Sequence, residues 1–207
     1  MIKILLADDH PVIRAAIKMM LKGKFRTVLE ASNGVETVQM AREQGPDLIV
    51  LDITMPKLDG MEVLSRLKDL EPPCRTLVYT ALDPVFYSAR CMRSGALGFI
   101  SKTNDLEELS KAINAVMSGY TYFPRLPSSS VHMDHLQCTE MQLIDKLSDR
   151  ELTIFQALAR GSSNKEIAES MLLSHKTVST YKTRLIEKLN VKSAVHLRDL
   201  AKRNHVI

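Results

Sequence analysis

The 207-residue chain has no tryptophan, and aromatic residues make up only 5% of it. An aromatic-walled pocket for an apolar small molecule is hard to build from so little. Cysteine is scarce too. Cys74, Cys91 and Cys138 are odd in number and lack CxxC spacing. That argues against a disulfide framework or a zinc site, and for reduced thiols in a cytoplasm. No apolar run approaches the roughly 20 residues that span a bilayer, so no membrane partner is expected. The opening MIKILLADDH has a short apolar patch and then two acids, unlike a secretory signal. What is present, 45% apolar and 25% charged residues, suits one large or two small globular domains.

Surplus positive charge is missing from most of the chain. Residues 1–124 carry 15 basic and 15 acidic side chains, and residues 125–145 carry 1 and 3. Residues 146–207 carry 12 basic and 6 acidic. The whole excess lies in the last third, which points to an anionic partner there, nucleic acid before a membrane surface.

The first 120 residues alternate between two patterns. Runs of β type occur at Ile2–Ala7, Thr27–Glu30, Leu48–Leu51, Thr76–Tyr79 and Gly98–Ile100. Helix-period segments occur at Val12–Leu21, Val35–Glu43, Gly60–Leu70, Val85–Ser94 and Leu106–Met117. Five strand-then-helix repeats predict an α/β domain with a mostly parallel sheet and helices on both faces. Residues 121–145, with Pro124, Pro127 and three serines, read as a linker that holds a short helix near Met141–Leu147. Residues 146–207 read as four helices. Their starts are marked by the capping boxes Ser148/Glu151 and Ser163/Glu166, and by Ser174 and Ser193. The Ser163 to Ser174 separation leaves room for one short helix and a tight turn, which is helix-turn-helix spacing.

The polar residues of the first domain fall at strand ends. Asp8 and Asp9 follow the first strand, Asp52 ends LIVL, Thr80 ends the fourth strand and Lys102 follows the fifth. Sites in open α/β sheets lie at such carboxyl ends. Asp52 alone could be a turn residue, a metal ligand or a site of chemistry. Three carboxylates in one pocket repel, by about 1 kcal/mol per pair at 4 Å in water and more when buried. A hard divalent cation such as Mg²⁺ offsets that, and Lys102 adds a mobile positive charge. An aspartate can also serve as a covalent nucleophile toward phosphorus. His10 is expected as the N-cap before Pro11 and not as a ligand.

LLADDHP, LIVLDITMPKLDG, VYTA and GFISK together resemble the receiver domain of two-component response regulators. The resemblance implies the strand order 2-1-3-4-5 and Asp52 as phospho-acceptor. It implies a Mg²⁺ site made by Asp9, by Asp8 through water, by Asp52 and by the Thr54 carbonyl. Lys102 would pair with the phosphoryl group, and Thr80 and Phe99 would be the switch pair. Thr103 stands where many members have proline after the lysine, which leaves a cis peptide there unsupported.

The basic third, with NKEIAESM and KTVSTYKTRL, resembles the LuxR-type helix-turn-helix of the NarL/FixJ family. GYTYFP and DLAKRN bring it closer to the virulence regulators within that family. The expected architecture is therefore a receiver over 1–120, a linker over 121–145 and an all-α four-helix DNA-binding domain over 146–207. On the helix from His175 to Leu189, Val178, Leu185 and Leu189 make a core stripe. Lys176, Ser179, Thr180, Thr183 and Glu187 lie opposite. Ser179, Thr180 and Thr183 align with base-contacting positions of the family. Lys165, Lys176, Thr177, Tyr181, Lys182, Arg184 and Lys188 are the expected phosphate contacts.

The resemblance implies promoter DNA as one partner and a sensor kinase histidine, or the phosphotransfer histidine of a hybrid kinase, as another. RNA polymerase is a further candidate, and the phosphorylated form would be a homodimer in the cytoplasm. The chain is not expected to be an enzyme. A dehalogenase-type phosphatase wants a second aspartate two residues after the first, and Thr54 stands there. A receiver-only relay protein would have no use for the basic helices. An acyl-homoserine-lactone sensor would need the aromatic pocket that the composition denies.

Overall fold

The computed structural model describes residues 2–25, 27–124 and 135–207, without the side chains of 135–139. Part of the expected linker, 125–134, and the side chain of Cys138 lie outside the described residues. The chain divides into two compact units, 1–126 and 127–207.

The first unit alternates β1 (Lys3–Ala7), α1 (Pro11–Leu21), β2 (Thr27–Ala31), α2 (Gly34–Gln44), β3 (Leu48–Leu51), α3 (Gly60–Lys68), β4 (Arg75–Thr80), α4 (Pro84–Arg93), β5 (Gly98–Ser101) and α5 (Leu106–Met117). The strands form one parallel sheet in the order β2-β1-β3-β4-β5, as expected. Four helices begin where a side chain satisfies a free N–H. Asn33 accepts from Glu36 N, Asp59 from Met61 N, Asp83 from Val85 N and Asp105 from Glu108 N. One sheet face packs Ile4, Leu6, Leu48, Val50, Leu77 and Tyr79 with α1 and α5, through Ile17, Leu21, Leu109, Ile113 and Val116. The alternate residues Leu5, Ile49, Leu51, Val78 and Phe99 are buried as well, as a sheet covered on both sides requires. Each such side chain stabilises the fold by about 1.5–3 kcal/mol.

The register sets the site. Ala7 lies opposite Ala31 and Leu51, Leu51 opposite Val78, and Thr80 opposite Ser101. The strands therefore end nearly level, and the residues that follow them share one rim.

Two findings depart from the expected linker. Tyr122 forms a parallel bridge beside Gly98, donating its N–H to Leu97 O (2.9 Å) and accepting Phe99 N–H (2.8 Å). A Cβ at Gly98 would stand 2.9 Å from Tyr122 O, so the close approach requires glycine there. The helix expected near Met141–Leu147 instead spans His135–Asp145, α6. Its Glu140 binds Arg203 Nη2 (2.8 Å) and Asn204 Nδ2 (2.7 Å), so α6 packs within the C-terminal unit.

That unit continues with α7 (Asp149–Arg160), α8 (Asn164–Ser170), α9 (His175–Lys188) and α10 (Ala194–Arg203). Both expected capping boxes form, and Ser174 caps α9 through Thr177 N. Ser193 sits at the N-cap of α10 but makes no cap bond. Its hydroxyl instead meets His196 Nδ1 at 2.8 Å. The core is Leu152, Ile154, Phe155, Ile167, Val178, Leu185, Leu197 and Leu200. No described helix is long and apolar enough to cross a membrane.

Candidate functional site

Asp8 and Asp52 are each 3% exposed, at the ends of adjacent strands. Between them lies Lys102, expected to supply positive charge here. Its Nζ is 2.6 Å from Asp52 Oδ2 and 2.7 Å from Asp8 Oδ2. Each of these carboxylates turns its other oxygen elsewhere. Asp52 Oδ1 accepts Thr54 N–H (3.1 Å), and Asp8 Oδ1 accepts His10 N–H (2.9 Å). Asp9 Oδ1 is shielded from solvent and accepts no hydrogen bond. One ligand atom each from Asp8, Asp9, His10 and Asp52 lies within 4.8 Å of the others. A carboxylate oxygen that meets only the His10 imidazole, at 2.7 Å and without hydrogen-bond geometry, fits a small, hard cation in such a group.

The electrostatics agree. Burial pushes the Asp52 carboxyl up, against the Lys102 ammonium, the Thr80 hydroxyl and the Thr54 N–H, which favour its charge. Burial works against the charge of Lys102, yet Asp52 and Asp8 together hold its pKa above the usual lysine value. One ammonium among three carboxylates leaves the pocket short of positive charge. A dication would correct that deficit.

The supporting backbone is tight. Gly60 N–H donates to Ile53 O (3.0 Å), folding the loop after Asp52 back on itself. A Cβ at Gly60 would stand 2.4 Å from Ile53 Cα and 2.7 Å from Asp52 O. Thr80 and Phe99 are fully buried on neighbouring strands, with Phe99 opposite Val78. Sequence reasoning passed over Arg14. Its Nη1 donates to Asp8 O (2.6 Å) and its Nε to Glu30 Oε2 (3.0 Å), pinning the acidic loop to β2. Its one sequence signal was a basic residue on the inner side of α1.

In the C-terminal unit, α8 and α9 are joined by a tight turn with Leu172 at φ 53. Asn164 Nδ2 donates to Ser179 Oγ (3.1 Å) across the pair, so Ser179 is half-buried and partly engaged. Thr180 and Thr183 are exposed. Their hydroxyls donate to Lys176 O and Ser179 O one turn earlier in α9. Lys165, Lys176 and Arg184 are exposed, whereas Thr177, Tyr181 and Lys182 are half-buried. Lys188, expected at a phosphate, is exposed and also makes an ion pair. Its ammonium is 2.6 Å from Glu151 Oε1 and 2.8 Å from Oε2, so from the surface it neutralises a buried carboxylate.

Residues 4–114 match the model of the response regulator receiver domain, and residues 145–201 that of the bacterial regulatory proteins of the luxR family. The chain is a LuxR-type response regulator. Such response regulators are transcription regulators, not enzymes. This one is 51% identical over 205 residues to the transcription regulator BvgA of Bordetella pertussis, covering 99% of this chain and 98% of that one. It is 34% identical over 203 residues to the DNA-binding transcriptional activator EvgA of Escherichia coli, covering 98% of each. Among solved structures, RcsB of Salmonella enterica serovar Typhimurium, bound to the rprA promoter, is similar in fold. Its TM-score is 0.64 at 21% identity, over 98% of this chain and 99% of that one.

Proposed function

We propose that Asp52 accepts a phosphoryl group and that this modification controls how the C-terminal unit engages promoter DNA. The observation that carries the reading is the Lys102 ammonium held between Asp52 and Asp8, beside an Asp9 oxygen that accepts no hydrogen bond. An Asp52 carboxylate oxygen forms the new P–O bond as the P–N bond to a donor phosphohistidine breaks, and the donor imidazole keeps the electron pair. The donor is the histidine of a sensor kinase or of a phosphotransfer domain. Lys102 supplies positive charge where the equatorial oxygens become negative. Asp8, Asp9, Asp52 and the Thr54 carbonyl would hold Mg²⁺, which when bound neutralises phosphoryl oxygens. Thr80 donates its hydroxyl to the phosphoryl group, and the Phe99 ring moves with it.

The added charge of about −1.5 to −2 shifts an existing equilibrium toward a homodimer. A dimer presents two α9 helices about one DNA turn apart. Thr180 and Thr183, with Ser179 to a smaller extent, meet base edges. Lys165, Lys176, Thr177, Tyr181, Lys182 and Arg184 meet phosphates. The domain's net positive charge and its luxR-family match support DNA as the partner. RNA polymerase is the further partner of a promoter-bound dimer, and the setting is the cytoplasm.

Selection of binding sites from random DNA, with and without acetyl phosphate and Mg²⁺, tests this. Phosphodonor should tighten binding to the selected sites for the wild type and leave Asp52→Asn unchanged. Equal tightening of Asp52→Asn would overturn the reading.

A further inference from the structure

His10 stands at the N-cap of α1, yet its side chain makes no capping bond. The imidazole turns instead toward the acidic pocket. Its Nδ1 is 2.7 Å from Asp9 Oδ1 and 3.2 Å from Asp8 Oδ1. The longer approach is a hydrogen bond, whereas the shorter one lacks hydrogen-bond geometry. The ring is held there from behind. The His10 N–H donates to Asp8 Oδ1 (2.9 Å), and Pro11 fixes the helix start that follows.

The spacing has a simple meaning. Ligand atoms on neighbouring corners of an octahedron with bonds of about 2.1 Å stand about 3.0 Å apart. Nδ1 and the two carboxylate oxygens straddle that distance. We propose that His10 Nδ1 is a further ligand of the cation held in this pocket, and that it widens the site's choice from Mg²⁺ toward transition-metal dications. Mg²⁺ favours oxygen donors and gains little from an imidazole, whereas Ni²⁺, Fe²⁺ and Zn²⁺ gain much. The side chain is 64% exposed and faces Asp8 Oδ1, whereas Lys102 binds Asp8 Oδ2, so the two do not compete for one oxygen. The assignment rests on the metal reading given above and adds a selectivity to it.

The test uses the full-length protein and the metals alone. Ni²⁺ and Mg²⁺ are competed for the pocket by calorimetry at one pH, for the wild type and for His10→Asn, which keeps a good N-cap residue. The Ni²⁺ to Mg²⁺ affinity ratio should fall by about 10-fold or more in the variant, with Mg²⁺ affinity changed less than about threefold. Pulsed electron paramagnetic resonance of wild-type protein loaded with Mn²⁺ should show a directly bound nitrogen, a readout that needs no variant. An unchanged ratio, or Mn²⁺ with oxygen ligands only, overturns the role of His10 and leaves the phosphoryl-acceptor reading standing. A wild type that binds none of these ions removes both.

Discussion

The Lys102 ammonium lies 2.6 Å from Asp52 Oδ2, with 12% of the lysine side chain and 2% of the aspartate side chain exposed. An ion pair this deep does more to organise the pocket than to stabilise the domain, because each charge has given up water. Its worth shows when one partner is removed. Lys102→Met should destabilise the receiver unit by about 3–5 kcal/mol in EDTA, and Mg²⁺ should restore part of the loss. Urea unfolding with and without Mg²⁺ measures this. A loss that Mg²⁺ leaves untouched would mean that the ion and the ammonium do not share these carboxylates.

Gly60→Ala should cost about 1–3 kcal/mol, since its Cβ meets backbone atoms that cannot swing aside. The loop carrying Thr54 would shift with it. Denaturant midpoints of variant and wild type give the answer, and unchanged midpoints would show the loop to be looser than described.

In the C-terminal unit the Glu151–Lys188 pair predicts a pH dependence. Burial raises the Glu151 pKa, but Lys188 and Ser148 outweigh it and hold the carboxyl below its usual value. A depressed carboxyl contributes stability above its unfolded value of about 4.3, and that contribution is lost as the pH falls through the folded value. The gap in melting temperature between wild type and Glu151→Gln should close as the pH drops from 7 toward 3. A gap independent of pH would remove the ion pair as its cause.

The same pair separates two kinds of lysine and arginine. Arg184→Ala should weaken binding to every DNA sequence alike and flatten the salt dependence by about one contact. Thr183→Ala should alter the ranking of sequences, by about 1–3 kcal/mol at one base pair. Lys188→Ala should lower domain stability while leaving the salt slope of DNA binding as it was. Affinity titrations across a salt series resolve all three.

The α/β order and the candidate site were legible because continuous apolar runs end on unusual polar residues. LIVL followed by Asp52 marks a buried strand with a carboxylate at its carboxyl end. Helix starts were legible wherever a capping serine precedes Glu by three, as at Ser148 and Ser163. What stayed hidden depends on tertiary contact. Nothing local marks Tyr122 as a bridge to β5, because its partners Leu97 and Phe99 are brought to it by the turn after α5. The helix His135–Asp145 shows only a weak apolar stripe and is held in part by Glu140 reaching the end of α10. Arg14, Lys188 and His10 show the same limit. A sequence reveals that a charged or imidazole side chain exists, but its partner comes from across the fold.

The most direct measurement is incubation with radiolabelled acetyl phosphate and Mg²⁺, followed by peptide mapping of the label. A hydroxylamine-sensitive acyl phosphate should appear on the peptide containing Asp52, with no label in Asp52→Asn. Undiminished labelling of Asp52→Asn, or label on another residue of the wild type, would contradict Asp52 as the phospho-acceptor.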